Sequence, residues 1–145
     1  MKSRITYHPQ GKNINKKWYV LDASGKTLGR FASNVAAMLI GKNKTIYSPD
    51  TDVSDYYIII NADKIVVTGK KEKDKIYYRH SGYRGGLKKM AYEKLKQKNP
   101  KKILENAIFG MLPKNKLAEK ISTKIKIYAG STHPHKAQNP EAINI

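Results

Sequence analysis

Hydrophobic positions along the chain fall into short blocks whose spacing assigns them to strands or helices. Trp18 to Ala23 (WYVLDA) is an apolar run without polar alternation, the pattern of a strand covered on both faces in a parallel sheet. After the turn Ser24-Gly25-Lys26, Thr27 is placed to cap a helix over Leu28 to Ile40, where Leu28, Phe31, Ala32, Val35, Ala36 and Leu39 recur at helical spacing. Gly41 supplies a left-handed stop, so strand, turn and helix open a β-α-β unit. Tyr56 to Asn61 (YYIIIN) predicts a second buried strand, Val66 and Val67 a short extended piece, and Ile76 to Tyr78 a third strand flanked by lysines. A modest helix is expected over Lys88 to Gln97, with Met90, Ala91 and Leu95 on its apolar side. Asn99 as cap and Pro100 at the first helical position start a helix that continues over Lys101 to Leu112 and stops at Pro113. Leu117, Ala118 and Ile121 suggest one more short helix, and Ile125 to Tyr128 a fourth strand.

The flanks lack this patterning. Met1 to Lys16 reads as an arm that orders against a partner, and Ser131 to Ile145 as a tail lying along the surface or the partner. With no internal repeat, the 145 residues read as one α/β domain with an arm (1–16), a core (17–130) and a tail (131–145).

Charge adds a partner to this picture. The formal net charge is +18, and the span 63–102 holds 14 basic and 4 acidic residues, an asymmetry that favours a binding surface over general solubility. Within it, Thr68 to Met90 packs Lys70, Lys71, Lys73, Lys75, Arg79, Arg84, Lys88 and Lys89 around Tyr77, Tyr78 and Tyr83, with Gly82, Gly85 and Gly86 where the backbone must turn. Cations, flat rings and exposed backbone N–H groups suit nucleic acid; a solvated lysine-rich hairpin is the plainer alternative. The absence of cysteine excludes disulfides, thiolate metal sites and cysteine nucleophiles. No apolar run approaches the roughly 20 residues of a membrane span, and the start lacks the apolar core of a signal peptide.

Other motifs are weaker. Gly25-Lys26-Thr27 resembles the end of a phosphate loop, but Val20 stands where the earlier glycine belongs. A helix start beside Lys26 and Arg30 can still hold a phosphate. His133-Pro134-His135 lacks a third metal ligand at usable spacing and reads as a rigid exposed turn. His80 has no orienting acid nearby in sequence, which favours an RNA contact over a general base. Asp50, Asp52 and Asp55 could bind Mg²⁺, although acids in such loops commonly make local turns. Nothing assembles a nucleophile, base and oxyanion donor, so no catalytic residue, metal or cofactor is expected.

The blocks KWYVLDASGKTLGR (17–30), GKNK (41–44), DYYIIINADKIVVTGKK (55–71), KIYYRHSGYRGGLK (75–88), GMLPKN (110–115), KIYAG (126–130) and HPHKAQNP (133–140) resemble the large ribosomal subunit protein 13 family. The resemblance implies an α/β fold, a small mainly parallel four-stranded sheet flanked by helices, with a basic loop extension and extended termini. It also implies a non-enzymatic, rRNA-binding role that supports early assembly of the large subunit, beside neighbouring large-subunit proteins and away from membranes. By position it assigns RNA contacts to Lys70, Lys71, Arg79, His80, Ser81, Gly82, Tyr83 and Gly86, to Lys42 and Lys44, and to Lys114. Charge and placement add Lys26, Arg30, Arg84, Lys88, Lys89 and Lys116. Arg84 stands where the family's loop has proline, Asn115 where it has glycine, and Ser54-Asp55 keeps only the acid of a Thr-Gly-Asp step. The expected location is the ribosome, in bacterial cytoplasm or alternatively in an organelle such as a plastid. An off-ribosome RNA-binding regulator, and less so a nucleotide-handling enzyme built on the Lys26 turn and the Asp50 to Asp55 cluster, are the alternatives.

Overall fold

The computed structural model describes residues 8, 9 and 14–145, so most of the expected N-terminal arm lies outside the described residues. Four parallel strands form the central sheet in the order β5-β2-β1-β6: β1 Trp18–Asp22, β2 Tyr56–Ile60, β5 Ile125–Ile127 and β6 Glu141–Ile143. Helix α1 (Leu28–Ile40) crosses from β1 to β2. Between β2 and β5 come a single turn of 3₁₀ helix at Ala62–Lys64, a short α2 (Lys71–Asp74), a hairpin of β3 (Ile76–His80) and β4 (Leu87–Ala91), then α3 (Tyr92–Lys98), α4 (Pro100–Met111) and α5 (Lys116–Ser122).

Side chains alternate across a strand, which divides the sheet into two faces. Tyr19, Leu21, Tyr57, Ile59, Ile125 and Ile127 belong to the main core with Leu28, Phe31, Val35 and Leu39 of α1 and Ile103, Leu104 and Ile108 of α4. The buried Tyr57 hydroxyl donates to Met38 O of α1 at 3.2 Å. On the other face Trp18 stacks on Tyr56, centroids 4.5 Å apart, and the His135 ring lies 5.4 Å from Trp18. Tyr128 Oη meets His135 Nε2 at 2.8 Å, so the His-Pro-His turn serves as a cover for the sheet.

Helix α1 has the bounds its periodicity predicts, with Gly41 at φ 85° ending it. Gly41 is also sterically required, because a Cβ there would stand 2.7 Å from Val53 Cγ2. The start differs in mechanism. Thr27 makes no side-chain cap; instead Leu28 N donates to Val66 O at 2.8 Å, so the extended piece around Val66 satisfies the first helical N–H. Asn99 likewise makes no side-chain cap, whereas Asn115 does, accepting from Ala118 N at 2.8 Å.

Three sequence expectations are corrected. Residues 88–91 are strand rather than helix, and α3 begins only at Tyr92: helix-favouring Leu87, Lys88, Met90 and Ala91 are overruled by pairing with Ile76–His80 across the glycine loop. Ile76–Tyr78 belongs to that two-stranded hairpin and not to the central sheet. The fourth sheet strand comes from the tail, where Glu141–Ile143 pairs with Tyr19–Leu21. Three residues carrying one large apolar side chain are too short to show a strand pattern.

Candidate nucleic-acid interface

The hairpin leaves the body at a buried root and ends at an exposed tip. At the root Tyr92 is fully buried and its N–H donates to Lys75 O at 2.8 Å, while Tyr77, opposite Met90, packs partly against the core. One step outward on that same face, Arg79 stands directly opposite Lys88. Opposed side chains on an antiparallel pair lie about 5 Å apart at Cβ, and like charges there destabilise the pair. Among the described residues, no acidic side chain forms an ion pair with either. The other face carries Ile76, Tyr78, His80, Leu87 and Lys89, with Lys89 Nζ 5.7 Å from the Tyr78 ring centroid. Lys75 Nζ sits 5.5 Å from that of Tyr77.

The tip, residues 81–86, is a closed turn. Ser81 N donates to Gly86 O at 3.3 Å, Gly86 N to Tyr83 O at 2.9 Å, and Gly82 N to His80 Nδ1 at 3.0 Å. Gly82 and Gly85 adopt φ of 91° and 71°, which glycine accepts without cost. Gly86 is needed for another reason: a Cβ would strike Ser81 Oγ and approach Tyr83 O. Tyr83 and Arg84 project from this turn into solvent.

Cations elsewhere divide into free and committed. Lys70 and Lys71 are exposed at the start of α2, and Lys71 and Lys75 line a cleft of about 210 Å³ with Thr27, Gly29, Thr68 and Met111. Arg30 and Lys26 line an adjoining cleft that shares Thr27, but Lys26 Nζ donates to Ile145 O at 2.7 Å. Lys42 is exposed, whereas Lys44 is drawn into the fold, its Nζ 2.7 Å from the buried Asp55 carboxylate, which also accepts from Lys17 N. Lys114 and Lys116 border an open groove of about 510 Å³ floored by Phe109, Leu112 and Pro113.

The aspartate cluster is structural as well. Asp52 accepts from Lys124 at 2.5 Å and from Lys16 at 3.1 Å, and Asp50 pairs with Ser48 and His8. Burial alone would raise the Asp52 carboxyl, but hydrogen bonds from Lys124, Ser54 and Lys16 outweigh it and hold the group well below the usual carboxylate range. Among the described residues, no group of three or more His, Asp or Glu is placed to hold a metal ion, and no helix is long and apolar enough to cross a membrane.

Residues 16–134 match the family model described as ribosomal protein L13. The chain belongs to that family. It is 53% identical over 140 residues to the large ribosomal subunit protein uL13 of Symbiobacterium thermophilum, covering 97% of this chain and 98% of the relative. The proteins of the same name from Staphylococcus saprophyticus (54%, covering 95% of each chain) and Gloeothece citriformis (51%, covering 94% and 91%) are similar to the same degree. As a member of the L13 family, the chain is a structural ribosomal protein located on the ribosome, and not an enzyme.

Within this L13-family chain, Arg84 adds a cation at the tip, and Asn115 serves as the cap of α5. The pairing of Tyr78 with Lys89 and the place of Lys75 between the hairpin root and the α1 cleft escaped the sequence reading. Once the strand over 87–91 is recognised, two-residue alternation reveals the first; the second depends on how α2 folds back beside α1.

Proposed function

We propose that this chain is a constituent of the large ribosomal subunit that binds large-subunit rRNA through the β3–β4 hairpin and supports early assembly of the subunit. The observation that carries the reading is the opposition of Arg79 and Lys88 on a strand pair outside the core. A fold that sets two cations against each other and withholds an acid from both stores a repulsion that a phosphate between them relieves. Lys70, Lys71, Lys89, Arg84, Lys114 and Lys116, all exposed, extend the cationic surface around it. Each phosphate neutralised releases counterions, so RNA segments that repel one another can be held together across this protein. Lys42, Arg30 and, less freely, Lys26 contribute diffuse charge.

Co-sedimentation of the full chain with large subunits through high-salt gradients tests the assignment. Retention on the large subunit at high salt is expected. Release into the unbound fraction, with RNA still attached, would move the protein to the role of an off-ribosome regulator.

A further inference from the structure

The tip of the hairpin is built more closely than charge neutralisation requires. Tyr83 is 80% exposed, the most open of the large hydrophobic side chains among the described residues, and belongs to no part of the core. Its backbone is nevertheless fixed, because its carbonyl accepts from Gly86 N and the turn behind it is closed by Ser81 and Gly86. An aromatic ring held outward on an immobilised turn loses little freedom when something stacks on it. The neighbouring imidazole is oriented too. Gly82 N–H donates to His80 Nδ1, so in the neutral ring the hydrogen resides on Nε2, which faces outward as a donor.

We infer that the tip takes a single unpaired base of rRNA, with Tyr83 stacked on its face and His80 Nε2–H donating to an acceptor on its edge, while Arg79 and Lys88, on the opposite face of the ribbon, hold a phosphate further along the RNA. This rests on the rRNA-binding role proposed above and names the class of RNA it acts on. In an A-form duplex the faces of the bases are covered by their neighbours and the major groove is too deep and narrow to read; only loops, bulges and ends offer a free face. A projecting ring flanked by cations therefore fits an extruded nucleotide and not a duplex. An acidic peptide would satisfy the cations but leave the ring and the oriented N–H without a planar partner.

The test uses the full chain and transcribed large-subunit rRNA, comparing wild type with Tyr83→Phe, Tyr83→Leu and the double variant Arg79→Ala/Lys88→Ala across a salt series. Loss of base stacking is expected to weaken Tyr83→Leu binding by about 5- to 100-fold with an unchanged salt slope, Tyr83→Phe remaining within about twofold of wild type. The double variant should instead flatten the slope. Base-specific chemical modification should reveal an unpaired base protected by wild type and Tyr83→Phe and reactive with Tyr83→Leu. Wild-type affinity in Tyr83→Leu, or protection confined to duplex or sugar positions, overturns the tip assignment while leaving rRNA binding in place. Failure of the wild type to bind the transcript would overturn the rRNA reading itself. Because Tyr83 is exposed, unchanged thermal melting of the three variants separates these outcomes from misfolding.

Discussion

Lys124, only 7% exposed at its side chain, closes on Asp52 at 2.5 Å and joins the start of β5 to the loop before β2. Its Nζ also reaches Ser54 Oγ at 2.7 Å and Ser54 O at 3.1 Å, so the buried cation has a full set of acceptors. Replacing Asp52 by Asn should destabilise the fold by about 2 kcal/mol, less than for a fully enclosed pair because Asp52 keeps a quarter of its side chain exposed. The effect depends on pH with a definite sign. The native Asp52 carboxyl is held low, so in acid the unfolded chain binds more protons than the native one. Its contribution is complete above about pH 4 and is lost as pH falls through the native value. Thermal melts between pH 6 and pH 2 should show a shallower acid loss for Asp52→Asn than for wild type.

Lys44 and Lys42 are two residues apart and should behave oppositely. Lys44→Ala leaves Asp55, 2% exposed at its side chain, with only a backbone donor among the described residues and should cost about 2 kcal/mol. Lys42→Ala, on the surface, should change stability by less than about 0.5 kcal/mol. Denaturant titrations of both variants decide this. An equal midpoint for the two would mean that the Lys44–Asp55 pair contributes nothing.

For the opposed cations of the hairpin, stability and binding should move in different directions. Arg79→Ala removes a cross-strand repulsion and should leave the melting temperature unchanged or slightly raised. The same change should lower the magnitude of the log–log salt slope for rRNA by about 0.9 if the lost phosphate lies in a duplex and about 0.7 if it lies in a single strand. Filter binding over a range of salt concentrations measures it. An unaltered slope would take Arg79 out of the interface.

Two buried tyrosines offer a contrast. Among the described residues the Tyr92 hydroxyl is enclosed without a hydrogen-bond partner, whereas the Tyr57 hydroxyl donates to Met38 O. Tyr92→Phe should therefore be neutral or stabilise by about 1 kcal/mol, and Tyr57→Phe should destabilise by a similar amount. A melting temperature that falls in both variants would imply that Tyr92 has a bonded partner.

Gly86→Ala should open the tip without unfolding the body, because the new methyl would collide with Ser81 Oγ and Tyr83 O. Amide hydrogen exchange at residues 81 and 86 should accelerate while the protection of β1 and β2 stays the same. Gly130→Ala is the control, since nothing lies near a Cβ there.

What the sequence revealed follows from the range over which each signal acts. Helix α1 was readable to the residue because its stripe, turn and terminal glycine are all local. The tip residues stood out for the same reason: their glycines and cations are contiguous. Lys44 and Lys124 could not be separated from the surface lysines, because what distinguishes them is an aspartate brought in by the fold, in the case of Lys124 from 72 positions away. Strands β4 and β6 were hidden because a two-stranded ribbon and a three-residue edge bury too little to impose a two-residue alternation.

The pairing of β6 with β1 has a consequence for the order of events during synthesis. β1 emerges early and gains β2 on one side, but its other edge stays open until residues 141–143 have been made. Through most of translation the nascent chain thus exposes the backbone of Trp18 to Asp22 along one edge, a short apolar template on which another strand could add. The last turn of Lys26 Nζ onto Ile145 O then fastens the closed edge. Prompt delivery of that tail guards against strand exchange between unfinished copies.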